Sequence, residues 1–348
     1  CPCVAALPYA LGFLFAPLVV CATWLGGWWT FLPLAVAFVG VPIADALIGL
    51  NERNAGSDVE QSLAFRLVTW LWVPVQLAVV VWALGTVAVG ELTTLEIVGL
   101  TLSLSVCTGS IGITYAHELV HRASPWERAL GEALLTTVSY THFSIEHVFG
   151  HHRHFATRRD PATGRYRESL FRFLPRTLAG SVASAWRIER DRQARRGRAW
   201  WHPANRMLRY AGVQVVMYGS VWLLAGPVAA AVLAGQALAA VLQLEAINYI
   251  EHYGLERQVD ADGRPEPVQP WHSWDSHSRL SNWILINLAR HADHHAIASR
   301  RYPALRAESR APQLPAGYGT MLLLALVPPL WHRVMDPRVE AWRAEHLN

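Results

Sequence analysis

Long apolar runs alternate with Arg-rich polar ones along this chain. Six of the runs, near 7–25, 29–50, 65–89, 93–117, 208–226 and 228–250, are apolar enough to cross a membrane. Each matches the roughly 20 helical residues that span a hydrocarbon layer of about 30 Å. The links after the first, third and fifth runs are short, around Gly26, Gly90 and Gly226, and none contains an Arg. Arg53 and Arg66 flank the link between the second and third runs, and every other Arg follows the fourth. Positive residues mark the cytoplasmic side. The pattern therefore predicts an all-α integral membrane protein with six transmembrane helices in a single domain, 1–348. Segments 118–207 and 251–348 are expected on the cytoplasmic side.

Two polar-apolar stretches do not fit a simple crossing. The stretch from 127 to 145 is apolar on one side but short and polar for a span, and is read as a re-entrant or interfacial helix. From Arg153 to Arg209 there are fifteen Arg against Asp160, Glu168, Glu189 and Asp191, which predicts interfacial helices on the cytoplasmic face. Residues 257–270, rich in Pro and Gly, are expected to form a loop or hairpin. In the fourth run, Ser103, Cys107, Ser110, Thr114, His117 and His121 recur at steps of four and three. That stripe is read either as close helix packing through small side chains or as the border of a cavity. Asp45 in the second run is read as a helix-end cap or a functional carboxylate.

Composition supports the membrane reading. Charged residues make up 16% of the chain and hydrophobic ones 52%, against about a quarter charged for a soluble domain. All thirty basic residues are Arg. The four Cys form no C-x-x-C pair, so neither a disulfide framework nor a Cys metal site is expected. The chain starts at Cys1 without a basic region before the first apolar run, so no cleavable signal peptide is expected, and sequence preceding Cys1 is.

The candidate chemistry lies in histidines. His117 and His121 sit four apart in H-E-L-V-H-R, so one helix face presents both to one metal. His147 and His151 repeat that spacing in E-H-V-F-G-H-H, which adds His152. N-Y-I-E-H-Y-G-L carries His252, and R-H-A-D-H-H carries His291, His294 and His295. Counting crossings returns all nine to one membrane face. A closed structural zinc site needs four ligands, so nine imidazoles suggest two ions with open positions, and imidazole suits Fe, Zn, Cu or Ni. H-E-L-V-H alone also matches a zinc protease motif in which Glu118 is the general base, but that reading leaves the other seven histidines unexplained. A metal transporter would place its site near the midplane.

Those four motifs, with A-T-R-R-D-P-A-T after the second, resemble the integral-membrane alkane 1-monooxygenases within the membrane desaturase and hydroxylase superfamily. N-Y-I-E-H-Y-G-L is the most specific element. The last box departs from the family's usual form at Ala289 and Ala292. The resemblance implies terminal alkane hydroxylation by a non-haem di-iron centre. Its ligands would be His117, His121, His147, His151, His152, His252, His291, His294 and His295. It further implies O2 as oxidant, rubredoxin with its reductase as electron source, and a bacterial cytoplasmic (inner) membrane location with the site facing the cytoplasm. Aryl-methyl hydroxylases and fatty acyl desaturases share the scaffold. Membrane lipid is an expected partner and nucleic acid is not.

Around the ligands, Glu118, Glu146, Asp160, Glu245, Asn248, Glu251 and Asp293 are candidates to orient the imidazoles. The plain alternative for each is a surface or structural polar group. His272 in Q-P-W-H-S-W-D-S is read as structural, and the six remaining histidines as surface or packing residues. An alkane offers no polar handle, so an apolar tunnel between helices is expected to present the chain end.

Overall fold

A computed structural model describes residues 2–346 apart from 57, 58, 61 and 263; Cys1 and the Cys3 thiol lie outside that description. Five helices are long and apolar enough to cross a membrane: α1 Val4–Leu25, α2 Gly27–Ile48, α3 Leu63–Val89, α4 Thr94–Val120 and a 47-residue helix, Arg206–His252. Among the described residues the remaining structure is two longer helices, Leu170–Ala194 and Pro328–His346, with short helices, turns and isolated bridges. The run Arg206–His252 is two helices that meet at a kink, at the place where the fifth and sixth spans are expected to be linked. It is bent at Gly226, whose backbone (φ 86°, ψ 174°) is not helical. Pro227 follows and removes the N–H that a straight helix would need.

The short links gather at one end of the bundle. Thr93 and Glu96 form a capping box at the start of α4, and the same Glu96 carboxylate accepts from the backbone N–H of Gly27 at 2.7 Å. That bond ties the α1–α2 link to the α3–α4 link. At the opposite end, Asp45 of α2 accepts from the Leu280 and Ser281 N–H groups and from the Ser281 hydroxyl. Asp45 is therefore a helix cap joining α2 to Arg279–Ile284. The outward faces of the long helices are apolar and uncovered, Leu223 and Leu224 being 84% and 87% exposed. Such a belt fits lipid rather than water, so the chain is a multi-pass membrane protein.

The 127–145 stretch enters and leaves at the same end. Helix α5, Pro125–Thr137, packs on α4, and the chain turns at Ser139 and returns through a helical stretch at 143–154. The last carbonyls of α5 would be orphans inside the bundle. Gln76 instead donates to Leu134 O, Gln214 to Thr136 O and Gln236 to Thr137 O. Three Gln side chains of flanking helices therefore close an end that lipid could not satisfy. We number the remaining helices α6 (143–154), α7 Leu170–Ala194, α8 Arg206–His252, α9 Arg279–Ile284, α10 His291–Ala296, α11 Tyr318–Ala325 and α12 Pro328–His346. In α7, Leu170, Phe173, Thr177, Ser181, Ala185 and Glu189 are buried at helical spacing, while Arg172, Arg187 and Arg190 are exposed.

The polar stripe of α4 is split by a π turn at Val106–Ile111. One extra residue per turn rotates everything beyond it, so the regular steps of four and three do not lie on one line. Ser103 and Cys107 are buried in packing, and the Ser103 hydroxyl donates to Thr30 O at 2.6 Å. Ser110 and Thr114 instead line an apolar cavity between α1, α2, α4, α8, α9 and α11. Both sequence readings thus apply, one to each half.

Within that π turn, α4 and α8 touch backbone to backbone. A Cβ on Gly109 would lie 2.7 Å from the Ala240 Cα. Gly109→Val is therefore expected to destabilise the protein by about 2 kcal/mol or more, read as a lower unfolding temperature in detergent. An unchanged temperature would mean the helices part freely.

Candidate metal centre

Nine histidine side chains from four elements meet at the end of the bundle opposite the short links. They form two groups, His117, His121, His147, His152 and His294 in one and His151, His252, His291 and His295 in the other. Within each group the candidate ligand atoms lie within 4.8 Å of one another. The groups adjoin: the His152 and His295 ring centroids are 4.6 Å apart.

Local backbone geometry decides which ring joins which group. His117 and His121 share a centre, as four-residue spacing on a helix predicts. His147 and His151, at the same spacing, do not. Residues His147–His151 form a π turn, which brings His147 and His152, five apart, together with Nε2 atoms 3.1 Å apart. His151 is thereby turned to the second group. On α10, His291 and His295 face the second group while His294, one position round, faces the first, 3.0 Å from His152.

The ring nitrogens crowd as ligands do. Nε2–Nε2 separations are 2.9 Å for His291–His295 and 3.3 Å for both His252–His291 and His151–His295. Neutral imidazole has one N–H and one lone pair, so converging nitrogens cannot all pair with each other. A metal with nitrogens at about 2.1 Å has edges between ligands of about 3.0–3.4 Å, close to these values. The buried Nε2 atoms of His117 and His121 have no hydrogen-bond partner. Burial, and then the neighbouring imidazoles, hold His121, His147, His152, His291, His294 and His295 well below the usual histidine range. The neutral ring is the ligand form. The residues present therefore fit two metal ions, with five and four imidazoles and no thiolate or carboxylate in either set.

Of the seven other candidates, two reach an imidazole nitrogen. Asp160 Oδ2 lies 2.9 Å from His151 Nδ1 and also accepts from the Thr163 hydroxyl. Burial pushes the Asp160 carboxyl up, but His151 and the Thr163 bond outweigh it and hold it below its ordinary value. Glu251 places Oε2 3.2 Å from His291 Nε2, and the Tyr318 hydroxyl donates to its other oxygen. The rest serve other contacts. Glu118 turns to Arg122, 3.6 Å away. Glu245 accepts from Tyr140, Thr177 and Asn248, joining α8 to α7. Asp293 accepts from Arg300 and from the Arg306 N–H, fixing the loop after α10. Burial, with Asp160 and Glu245 close by, pushes the Glu146 carboxyl well above its ordinary value.

Several residues that shape the site were not singled out in the sequence. Asp275 accepts from the Ala292 N–H at 2.7 Å and so holds the start of α10, which carries three of the nine rings. It stands in the same Q-P-W-H-S-W-D-S run as His272, which bonds Glu266 and the Gln269 N–H and is structural. Arg122 donates from Nε to Glu118 O and from its terminal nitrogen to Ser299 O, latching α4 to the loop beyond α10. Phe155 stacks on His295 with centroids 3.8 Å apart. A buried Asp beside Trp and an Arg after the second His were the available signals. Neither has ligand spacing, so neither stood out. His142, His154, His202, His277, His332 and His346 belong to neither group.

The family model described as fatty acid desaturase matches residues 92–324, a stretch that holds all nine of these histidines. The chain belongs to that fatty acid desaturase family. Among family relatives, alkane 1-monooxygenase 2 of Pseudomonas aeruginosa is 39% identical over 91% of this chain and 85% of its own length. Alkane 1-monooxygenase of Ectopseudomonas oleovorans is 38% identical over 92% of this chain and 82% of its own. The xylene/toluene monooxygenase hydroxylase component of Pseudomonas putida is more distant, 27% identical over 91% of this chain and 84% of its own. The resemblance carried by the four histidine motifs is thus matched across most of the chain.

Proposed function

We propose that this chain is a membrane alkane 1-monooxygenase that hydroxylates the terminal carbon of alkanes at a non-haem di-iron centre. The observation that carries the reading is an apolar cavity whose lining comes within three residues, along two segments, of the two imidazole groups. Thr114 lines that cavity one turn before His117, and Leu288 lines it three residues before His291. The two irons would be held by His117, His121, His147, His152 and His294 on one side and His151, His252, His291 and His295 on the other.

Bound iron supplies the O2-activating redox chemistry that protein side chains lack. Overall, one atom of O2 enters the terminal C–H bond and the other leaves as water, with two electrons and two protons taken up. The chain's own part is selection and positioning. A primary C–H bond is stronger than a secondary one, so terminal oxidation requires that only the chain end reach the centre. The walls provided by Phe15, Phe38, Val41, Ile113, Leu244 and Ile247 bind methylenes through buried area, about 0.8 kcal/mol each, and exclude water. Asp160 fixes the ring of His151 through its second nitrogen.

In this reading the domain spans 1–348, and the bend at Gly226 divides α8 into the fifth and sixth of six crossings. At about 1.5 Å per residue, its 47 residues are about 70 Å long, more than twice the hydrocarbon layer. Segments 118–207 and 251–348, and the histidines, then face the cytoplasm across a bacterial inner membrane, in line with the Arg distribution.

Electrons would come from rubredoxin and its reductase. A wide groove lined by Arg122, Arg153, Arg159, Arg187, Arg192 and Arg206, with Glu132 and Asp191 among its few acids, opens onto His121. Such a face suits a small acidic carrier. Raising ionic strength from about 0.01 to about 1 M shortens the screening length from about 30 to about 3 Å. Rubredoxin-dependent turnover is expected to fall by about tenfold or more over that range; a flat salt profile would remove electrostatic docking.

The activity itself is tested by supplying octane, a xylene and a fatty acyl substrate to the purified protein with O2, rubredoxin and reductase. 1-Octanol as the main product is expected. A benzylic alcohol instead would favour the aryl-methyl reading, which the more distant xylene/toluene relative keeps as the runner-up. A new double bond in the acyl chain would mean a desaturase. A zinc protease is poorly served, because His117 and His121 share their centre with three more rings and Glu118 faces Arg122.

A further inference from the structure

Beside His252 lies a set of oxidisable rings that hydroxylation itself does not use. Tyr249 and Tyr253, on either side of that ligand in the chain, and Trp331 of α12 are all fully buried. Their ring centroids form a near-equilateral triangle, 5.2 Å for Tyr249 to Tyr253, 5.1 Å for Tyr249 to Trp331 and 5.2 Å for Tyr253 to Trp331. Tyr253 follows His252 directly, and Tyr249 precedes it by three residues, the spacing of helix neighbours. Against the imidazoles themselves the rings are of another kind. Among the described residues, the aromatic rings in contact with the nine, besides each other, are Phe143 and Phe155. A Phe ring gives up an electron far less readily than a phenol or an indole. The oxidisable rings are thus set one layer back and grouped on one side.

Hydrogen bonds single out Tyr253 within this set. Tyr249 donates to the carbonyl of Glu168 at 2.6 Å, and a carbonyl does not take up a proton. Tyr253 donates to the Asp336 carboxylate and accepts from the Arg167 N–H at 3.1 Å, with His332 Nδ1 2.9 Å away. A phenol that loses an electron must also shed its proton, and here the acceptor is already in place. Asp336 and His332 are half-buried, so this end of the set reaches the protein surface. Tyr318 differs: it donates to Glu251, and both are buried. We propose that Tyr253, backed by Trp331 and Tyr249, drains oxidising equivalents from the metal centre when O2 has been taken up and no C–H bond is in reach. One electron leaves the Tyr253 ring for the centre while the phenolic proton passes to Asp336, leaving a neutral phenoxyl radical. A reduced one-electron carrier such as rubredoxin returns the electron at the surface, and Asp336 returns the proton. Two such rounds, with two protons from solvent, turn the oxygen atom otherwise inserted into substrate into water. The ligand imidazoles are spared oxidation. The proposal rests on the hydroxylase reading.

The test takes the iron-loaded protein, reduced and freed of excess reductant, mixes it with O2 with or without octane, and freezes it. Electron paramagnetic resonance is expected to show a tyrosyl radical without octane and to lose it when octane consumes the same equivalents. Tyr253→Phe keeps the ring and removes the phenol, and is expected to abolish the radical at unchanged iron content. Tyr318→Phe is expected to leave it. After turnover without substrate, mass spectrometry should find more oxygen added to the histidine-bearing peptides of Tyr253→Phe than to those of the unaltered protein. Asp336→Asn leaves all three rings in place and removes the proton acceptor; its expected loss of the radical decides the matter even if Tyr253→Phe fails to fold. No radical in the unaltered protein, or one that persists in Tyr253→Phe or in Asp336→Asn, overturns the proposal and makes the three rings a tie between α8 and α12. The hydroxylase reading then stands if the octane samples contain 1-octanol. Neither radical nor octanol overturns both.

Discussion

Replacing His252 by Ala is expected to remove about half the bound metal and all measurable hydroxylation. His252 is one of only four imidazoles in its group, and its Nε2 lies 3.3 Å from that of His291. Loss of one ligand from a four-nitrogen set leaves three, with α8 no longer tied to α10 through the ion. The five-imidazole group takes nothing from α8, so its ion should remain. Metal content measured per chain should therefore drop from about two to about one, while a helical circular dichroism spectrum is kept. A variant that retains two ions would take His252 out of the shell. Loss of both ions with the fold intact would mean that the two groups do not fill separately.

Asp160→Asn is expected to have the next largest effect. Asp160 accepts from Ala162 N–H and the Thr163 hydroxyl, so its carboxylate is fixed before it meets His151 Nδ1 at 2.9 Å. The negative charge raises the basicity of the ring, and its lone pairs define which ring nitrogen carries the proton. An amide in its place keeps the shape but loses the charge and can present a donor to His151. Contacts of this kind are worth about 10- to 100-fold in metal affinity or activity. A drop of that size in affinity for the four-imidazole group, with the five-imidazole group unaltered, is the expected outcome of a metal titration. Equal weakening of both groups would point to a folding effect on the 155–165 segment.

How much of this was legible in the sequence follows from how local each signal is. The nine histidines stood out because ligand spacing on helices is a short-range pattern. Their convergence could be argued from the parity of the apolar runs. Their division between two centres could not, because it depends on the π turn at His147–His151, and a π turn leaves no mark in spacing. The same feature in α4 breaks the stripe from Ser103 to His121. Asp45 was undecided until its partners Leu280 and Ser281, more than 230 residues away, came into view. Glu245 and Asn248 are three residues apart and so neighbours on the helix, yet the Glu245 carboxylate meets Tyr140 and Thr177 rather than an imidazole. Helix periodicity gives a side chain's direction but not what it meets there. Gly226 and Pro227 punctuate the chain as a link would, and there the helix breaks into two at a kink.

The re-entrant reading of the 127–145 stretch rests on its polarity and length and on the side where a crossing would leave His147, His151 and His152. Its physical basis is a set of amides, Gln76, Gln214 and Gln236, which accompany apolar neighbours in α3 and α8 and give no hint in sequence of the carbonyls they reach.

The account depends on two irons held entirely by histidine nitrogen. X-ray absorption at the iron edge, on purified protein whose metal content is counted in the same sample, tests this most directly. Two irons per chain with a nitrogen-dominated first shell and imidazole outer-shell scattering is the predicted result. One metal per chain, or a first shell containing sulfur, would contradict it.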